Sequence, residues 1–131
     1  PERVVTLLHG ADVVRYAIPR DPARLRARFG LPDDAVTVTI AARLDRGKGY
    51  PDLLDAFARL RRSRPEVRLI ACGAPHFDPS YAETLHALAR DLGIDDAVVW
   101  AGHRADLPEI LADSDLFCMP TEDDALPLVF L

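Results

Sequence analysis

The chain has 131 residues, of which 49% are hydrophobic and 28% charged, and its formal net charge at pH 7 is −5. This length and composition predict one globular domain with its own hydrophobic core. The acidic balance argues against duplex nucleic acid as a partner while leaving room for a local anion site, and no apolar run reaches the roughly 18–20 residues of a membrane span.

Strand-like and helix-like residue patterns alternate along the chain. The strand-like segments are 4–8, 36–41, 67–72, 98–100 and 115–119. The helix-like segments are 21–30, 50–62, 80–92 and 106–111. This alternation implies crossover connections and a parallel sheet, and near-continuous apolar strands fit a sheet that is covered on both faces. The predicted fold class is therefore α/β, with a doubly wound, Rossmann-like parallel sheet.

The two longer helices have amphipathic patterns. The apolar face predicted for the helix over 50–62 consists of Leu53, Leu54, Phe57 and Leu60. The face predicted for the helix over 80–92 consists of Tyr81, Leu85, Leu88 and Leu92. His86 lies off this second register, so we expect it at the surface.

The cysteines and histidines do not indicate a metal site or a nucleophilic site. Cys72 and Cys118 each end a predicted strand in an apolar setting, which predicts buried free thiols in a reducing compartment. The spacing of the histidines is not that of a zinc site, and no Ser-His-Asp or Cys-His arrangement can be assembled. The four histidines are His9, His76, His86 and His103.

Polar loops follow four of the predicted strands. These loops are 43–48, 73–76, 102–104 and 121–124. Ligands of doubly wound sheets bind beyond the carboxyl ends of the strands, so one rim of the sheet is the candidate site. Arg43, Lys48 and Arg104 are its candidate anion contacts. The alternative is that these loops are polar only because strand-to-helix loops lie at the surface.

Lys48 is the only lysine among the sixteen basic residues of the chain. An ammonium is a compact, strongly hydrated point charge that suits phosphate, whereas a guanidinium is a bulkier planar fork. Gly47 and Gly49 flank it and allow close approach of the backbone to an anion at a helix start. The alternative is a solvated loop lysine.

Two familiar phosphate-binding motifs are excluded. Ala42 replaces the first glycine of a P-loop and Gly49 replaces its hydroxyl residue, and no G-x-G-x-x-G occurs. Asp113-Ser114-Asp115 has the D-x-D pattern of metal-dependent sugar transferases. It precedes its strand, on the rim opposite Lys48, so we interpret these aspartates as helix-end and loop residues.

An ordered set of short motifs nevertheless resembles one family. An Ala-Arg-Leu run ends a strand at 42–44, Lys-Gly follows at 48–49, and a Leu-Leu-x-Ala-Phe helix at 53–57. The set continues through 65–73, 92–94, 98–102, 112–121 and 126–129. It resembles the donor-binding half of GT-B glycosyltransferases of the large retaining "group 1" (family four) class, over nearly the whole chain.

The resemblance implies roles for individual residues. Arg43 and Lys48 match two cations that hold the donor diphosphate and stabilise its charge as it departs, a task that needs no metal. Gly73 matches a glycine whose loop lies near the donor. Gly102, His103 and Arg104 match the segment beside the nucleobase.

The acidic motif of that family is where this chain departs from the pattern. Asp124 falls on the first acidic position, which normally contacts hydroxyls of the donor sugar, and neighbouring Glu122 is an alternative. A second glutamate, which holds the ribose in the family, would fall just past Leu131. The chain starts at Pro1 without a methionine, and we expect it to be a piece of a longer protein.

The resemblance predicts residues 1–20 as an inter-domain junction and residues 21–131 as the nucleotide-sugar donor domain. The implied enzyme transfers a hexose from a nucleotide-diphosphate sugar to a sugar, glycan or lipid acceptor, with retention and without a metal or other cofactor. The acceptor would bind through an N-terminal domain outside this chain. We expect a cytoplasmic protein, with peripheral association at the inner face of the membrane as an option, and no nucleic-acid partner.

Two other interpretations stay open. One is a non-catalytic module that binds a nucleotide or sugar phosphate, which the altered acidic motif favours. The other is a generic doubly wound domain related to an epimerase or phosphorylase, which would need serine, tyrosine or cofactor motifs that are lacking here. The resemblance specifies neither the nucleobase, nor the sugar, nor the acceptor.

Overall fold

The computed structural model describes residue 10, residues 12–122, residue 124 and residues 128–130. The strands are β1 Val36–Ala41, β2 Val67–Cys72, β3 Val98–Gly102 and β4 Leu116–Phe117. The helices are α1 Val13–Tyr16, α2 Pro22–Phe29, α3 Tyr50–Arg61, α4 Pro79–Asp91 and α5 Leu107–Asp113. Short 3₁₀ turns lie at Asp95–Ala97 and Leu128–Phe130. The strand predicted over 4–8 lies outside the described residues.

The four strands form one sheet in the order β3-β2-β1-β4, and every described pair is parallel. Val38 of β1 faces Leu69 of β2 on one side and Leu116 of β4 on the other. Because all strands run the same way, the loops that follow them emerge at one edge. This confirms the predicted α/β parallel sheet and brings the four polar loops to a common rim.

Helices cover both faces of the sheet. Alternate strand residues such as Ile40 and Leu69 pack against α3 and α4, and the intervening Ile70 and Cys72 pack against α2 and α5. Successive side chains of a strand point to opposite faces, so a strand that is buried on both faces is largely apolar. The polar exceptions in β1, Thr37 and Thr39, are buried with hydrogen-bond partners for their hydroxyl groups. The sheet is therefore doubly wound, as predicted.

Local sequence signals explain where the helices begin and end. Asp21 and Asp78 accept hydrogen bonds from backbone N–H groups in the first turns of α2 and α4, and a proline follows each of them. Gly30 ends α2 in the left-handed conformation, at φ 61°. The N-cap of α3 is Gly49, which has no side chain and makes no side-chain capping bond.

Three details differ from the sequence-based expectations. Leu60 is 41% exposed, because the buried stripe of α3 runs through Leu54, Phe57 and Ala58 and leaves Leu60 at its margin. His86 is half-buried rather than freely exposed, since its ring stacks on Trp100 at 4.4 Å between centroids. β4 spans only two residues, shorter than the 115–119 predicted.

The Asp113-Ser114-Asp115 motif is structural, as expected, and lies at the amino-terminal edge of the sheet. The Asp113 carboxylate is 1% exposed and accepts bonds from the Asp21 N–H (2.7 Å) and from the Arg24 guanidinium (2.7 and 2.8 Å). Asp115 accepts from the N–H (2.8 Å) and hydroxyl (3.0 Å) of Thr37. These bonds attach the segment before α2 to the sheet on the side away from the polar loops.

Backbone hydrogen bonds extend the sheet beyond the formal ends of its strands. The Ala42 N–H donates to the Cys72 carbonyl (3.0 Å), the Leu44 N–H to the Ala74 carbonyl (3.1 Å) and the Gly73 N–H to the Gly102 carbonyl (2.8 Å). Throughout the described ranges, no helix is long and apolar enough to cross a membrane.

Gly73 lies where this extension is most crowded. A Cβ atom there would lie 1.8 Å from the Ala42 carbonyl oxygen, which is a backbone atom that cannot turn aside. We therefore predict that Gly73→Ala lowers the free energy of unfolding by about 3 kcal/mol, the cost typical of severe overpacking. Urea denaturation measures this change. Gly10→Ala is the matched control, because no atom of the described residues lies within 4 Å of a Cβ at that position. Equal stability of the two variants would contradict the close approach of these two backbone segments.

Candidate functional site

Among the described residues, Arg43 lines three pockets at the carboxyl edge of the sheet. The α4-side pocket encloses about 360 Å³ and is lined by Arg43, Asp45, Arg46, Gly47, Lys48, Phe77, Asp78 and Tyr81. The β2–β3 pocket encloses about 440 Å³, and the predicted residues among its lining are Arg43, Gly73, His103 and Arg104. The β4-side pocket encloses about 290 Å³ and is lined by Ala41, Ala42, Arg43, Lys48, Met119, Asp124, Leu128 and Val129.

The loop that bears Arg43 and Lys48 is held by buried anchors on both sides. Leu44 is 5% exposed and packs into the core, and the Tyr50 hydroxyl donates to the Ala42 carbonyl at 2.7 Å. Burial raises the pKa of Tyr50, so this hydroxyl stays a proton donor across the usual pH range. The loop therefore has a fixed course, and its two cations are positioned before any ligand arrives.

Lys48 lies beside Asp124 in the β4-side pocket. Its Nζ is 2.6 Å from Asp124 Oδ2, which also accepts the Thr121 hydroxyl at 2.9 Å. Chiefly because of the hydrogen bond from Lys48, the pKa of Asp124 lies below its ordinary 3.8. The structure thus brings together the three residues predicted as catalytic, Arg43, Lys48 and Asp124, but pairs two of them with each other.

Glu122 is placed by its backbone. Its N–H donates to the Gly47 carbonyl at 3.0 Å, and the Thr121 hydroxyl reaches the same carbonyl at 3.0 Å. Gly47 has φ 83°, a left-handed conformation that favours glycine. These bonds tie the loop after β4 to the loop after β1. The Glu122 side chain is exposed at this junction, within the candidate rim.

Arg43 has one carboxylate and one aromatic neighbour. Its Nε lies 3.2 Å from Asp45 Oδ2, and its guanidinium carbon lies 5.2 Å from the centre of the Phe77 ring. The Arg43 side chain is 49% exposed. A guanidinium that is held between an acid and a ring yet half open to solvent can present its remaining N–H groups to a ligand.

The β2–β3 pocket brings together the residues predicted at the nucleobase. His103 and Arg104 line it beside Gly73. Gly102 is not part of its lining but adjoins it, since the Gly102 carbonyl accepts from the Gly73 N–H. Arg104 is already engaged, since Asp106 accepts two bonds from it, at 2.8 and 2.6 Å. The hydrogen bonding from Arg104 also lowers the pKa of Asp106. To contact an anion, Arg104 would have to share its guanidinium between that anion and Asp106.

Cys72 lies in the wall of the β2–β3 pocket. Burial raises its pKa to about 11, so its thiol stays protonated and is not a nucleophile at neutral pH. Both cysteines are free; Cys72 is buried as predicted, and Cys118 is half-buried. In the parts of the chain that the structure describes, no three His, Cys, Asp or Glu side chains group as a metal site.

Sequence reasoning missed two residues of the rim, Asp45 and Phe77. Asp45 lies between Arg43 and Lys48 in the loop after β1 and is only 8% exposed. No pattern in the surrounding sequence predicts this burial. Phe77 is 77% exposed, which is unusual for a large apolar side chain. Its place in a loop between His76 and Asp78 is a signal that could have identified it.

Comparison with known proteins assigns the chain to a family. The family model described as "Glycosyl transferases group 1" matches residues 21–131. The D-inositol 3-phosphate glycosyltransferase of Stackebrandtia nassauensis is 35% identical over 100% of this chain and 31% of its own length. The GDP-mannose-dependent alpha-(1-6)-phosphatidylinositol monomannoside mannosyltransferase of Mycolicibacterium smegmatis is 40% identical over 85% of this chain and 28% of its own length.

Solved structures agree with this assignment. Anabaena Alr3699/HepE, in a complex with UDP and glucose, matches with a TM-score of 0.75 and 32% identity over 86% of this chain and 30% of that one. The fold corresponds to the C-terminal Rossmann-like half of GT-B structures. The chain spans about 30% of the length of these relatives. By its sequence and its fold, the chain belongs to the group 1 glycosyltransferases, of which it represents the C-terminal domain.

Proposed function

We propose that this domain binds the diphosphate of a nucleotide-sugar donor and that the protein it belongs to transfers a hexose. The observation that carries the proposal is the convergence of Arg43 and Lys48 on one pocket at the carboxyl edge of the sheet. Anabaena Alr3699/HepE, which is 32% identical to this chain, is known in complex with UDP-glucose. Residues 21–131 form the donor domain in this proposal, and residues 1–20 form its junction.

Each site residue has a role in the proposed reaction. Arg43 and Lys48 bind the donor phosphates and stabilise the negative charge that develops when the nucleotide diphosphate leaves. The two fixed cations supply this stabilisation without a metal ion. Asp124 accepts hydrogen bonds from hydroxyls of the donor sugar, with Glu122 beside it. The nucleotide extends over Gly73 toward Gly102, His103 and Arg104.

The rest of the reaction involves surfaces outside this chain. The acceptor is a sugar, glycan or lipid that binds largely through an N-terminal domain, and transfer retains the anomeric configuration. We propose a cytoplasmic protein that can associate with the inner face of a membrane. A relative whose name includes phosphatidylinositol monomannoside supports a lipid acceptor as one option.

A second candidate function is a non-catalytic module that binds nucleotide or sugar phosphate. It is favoured by the engagement of Asp124 with Lys48 and Thr121, which leaves this carboxylate less free for a sugar. Both functions predict that nucleoside diphosphates bind at the β4-side pocket. They differ in whether a bond to the sugar is broken.

We predict that Lys48→Ala weakens UDP binding by about 2 kcal/mol, or roughly thirtyfold, because a charge-assisted phosphate contact is lost. Isothermal titration calorimetry on the 131-residue chain measures the affinity, with GDP and ADP as comparison nucleotides. Arg90→Ala is the matched control, since it also removes one positive charge, from an exposed site on α4. An equal, small effect in both variants would remove Lys48 from the site.

We predict that Asp124→Asn tightens UDP binding about threefold, because the ammonium of Lys48 is no longer neutralised by a carboxylate 2.6 Å away. The same change removes any additional affinity of UDP-glucose over UDP, since a strong acceptor for sugar hydroxyls is lost. As the pKa of Asp124 is depressed, its charge persists above pH 3.8 and disappears only in more acidic solution. Titrations with both ligands test this; weaker UDP binding by Asp124→Asn would contradict the competition.

Nucleotide release distinguishes the two candidate functions. We predict that a longer protein containing this chain releases UDP or GDP from a hexose donor when a suitable acceptor is present, and that Arg43→Ala reduces the rate by at least about a hundredfold. A coupled assay for nucleoside diphosphate measures the rate. A protein that binds the donor but releases no nucleotide with any acceptor tested would favour the non-catalytic module.

A further inference from the structure

Thr121 lies among the candidate site residues, but the proposed function gives it no role. It lies in the loop after β4, three residues before Asp124. Its hydroxyl oxygen is 3.0 Å from the Gly47 carbonyl oxygen and 2.9 Å from Asp124 Oδ2. A hydroxyl group has one proton, so it donates a full hydrogen bond to only one of these two acceptors at a time. The role of Thr121 depends on which acceptor receives that proton.

The Asp124 carboxylate is the better acceptor of the two. The Gly47 carbonyl already accepts the Glu122 N–H at 3.0 Å, so it is satisfied without the hydroxyl. Asp124 is ionised at neutral pH, and hydrogen bonds to an ionised acceptor are roughly twice as strong as neutral ones. After the bond from Lys48, the bond from Thr121 is the next cause that lowers the pKa of Asp124. Thr121 therefore acts chiefly as a donor to Asp124.

The backbone on both sides of Thr121 is fixed against the loop after β1. A Cβ atom on Gly49 would lie 1.9 Å from the Pro120 carbonyl oxygen, so the two loops are in direct backbone contact there. On the other side, the Glu122 N–H donates to Gly47. The β-branched side chain of threonine also has few χ1 rotamers. The hydroxyl thus projects from a rigid position and can hold a carboxylate in a defined place.

Both hydrogen bonds to Asp124 end on the same oxygen atom. Lys48 Nζ and the Thr121 hydroxyl donate to Oδ2, whereas Oδ1 has no hydrogen-bond partner among the described residues. The Asp124 side chain is 25% exposed and lines the β4-side pocket. By contrast, Asp45 Oδ2 pairs with Arg43 Nε at 3.2 Å without a directed hydrogen bond, and it is too buried for a ligand to reach. Asp124 Oδ1 therefore remains available to a hydroxyl group of a ligand.

Donor binding changes which of these bonds persists. In the proposed function Lys48 binds the donor phosphates, so its bond to Asp124 is shared or lost when the donor arrives. The Thr121 hydroxyl is neutral and is anchored by its backbone, so its bond to Oδ2 remains. Thr121 is then the residue that holds Asp124 while the other carboxylate oxygen meets the sugar.

We propose that Thr121 is the positioning residue of the donor-sugar contact: its hydroxyl holds Asp124 through Oδ2, so that Oδ1 accepts a hydrogen bond from a hydroxyl group of the donor sugar. The inference rests on the proposed function, in which Asp124 contacts that sugar. Thr121 itself contacts neither the sugar nor the phosphates. The affinity for the nucleoside diphosphate then depends on Arg43 and Lys48. The additional affinity that the sugar provides depends on Asp124 and Thr121.

The experiment compares nucleoside diphosphates with their sugar conjugates by isothermal titration calorimetry of the 131-residue chain. The probes are UDP with UDP-glucose and GDP with GDP-mannose, and the ratio of dissociation constants within each pair measures the gain from the sugar. We expect Thr121→Val to reduce this gain about threefold, because the hydrogen bond that holds the carboxylate is lost. The affinity for the nucleotide alone should stay within about twofold. Thr121→Ser keeps the hydroxyl and should retain the gain.

Further variants separate positioning from a general loss of structure. Thr84→Val is the matched control, because it removes a hydroxyl from an exposed site on α4 and should change neither affinity. Thr121→Ala removes the same hydroxyl with a smaller side chain, so it repeats the test if valine impairs folding. In the Asp124→Asn background, Thr121→Val should have no further effect on the gain, because Thr121 acts through Asp124.

Each outcome supports or overturns the inference. An unchanged gain in Thr121→Val and Thr121→Ala, with UDP still bound, would overturn it and leave the proposed donor site intact. Equal weakening of UDP and UDP-glucose, or loss of the gain in Thr121→Ser, would make Thr121 a structural residue and would also overturn it. So would the absence of a gain from either sugar in the unaltered chain. Failure of both UDP and GDP to bind would contradict the proposed function, and the inference with it.

Discussion

The continuation of the sheet's hydrogen bonds past the ends of β1 and β2 fixes the loops that carry Arg43 and Gly73. Leu44 donates to Ala74, and Gly73 donates to Gly102, so the loops after three strands are joined edge to edge by their backbones. Such loops lose little further entropy when a ligand orders their side chains. Arg43 lies at the junction, which explains why all three pockets include it.

The cations of the rim are each accompanied by a carboxylate. Lys48 pairs with Asp124, Arg43 with Asp45 and Arg104 with Asp106, and the weaker contact of Arg46 is with Asp78. The most exposed of these pairs, Arg46 with Asp78, contributes little to stability, about 0–1 kcal/mol. All four pairs bear on binding, because an incoming anion must compete with an acid that is already in place.

Much of the fold could be predicted from the sequence, because it depends on local patterns. Apolar runs of six residues predicted β1 and β2, and the spacing of Leu53, Leu54 and Phe57 predicted α3. Leu60 was misplaced because periodicity does not show where a helix leaves the core. The short β4 was overextended because a strand's length also depends on the partner strand, which the sequence does not reveal.

The site was predictable in outline for a different reason. Because the strands are parallel, the four loops that follow them lie at the carboxyl edge of the sheet. The motifs of the family then identify Arg43, Lys48 and Asp124 within these loops. The pairing of Lys48 with Asp124 joins residues 76 positions apart, and the unused oxygen of Asp45 depends on an angle at Arg43. Neither property is a pattern in the chain. Contacts between loops depend on tertiary geometry, so they emerged only from the structure.

The stack of His86 on Trp100 has a practical consequence. Trp100 is the only tryptophan, so the tryptophan fluorescence of this chain arises from a single position, in the edge strand β3 where it packs against α4. Its Nε1 is buried and has no hydrogen-bond partner among the described residues, while Tyr50 of α3 lies 6.5 Å away between ring centres. Its emission thus reports the separation of two helices from the sheet, which makes it an optical reporter of cooperative unfolding.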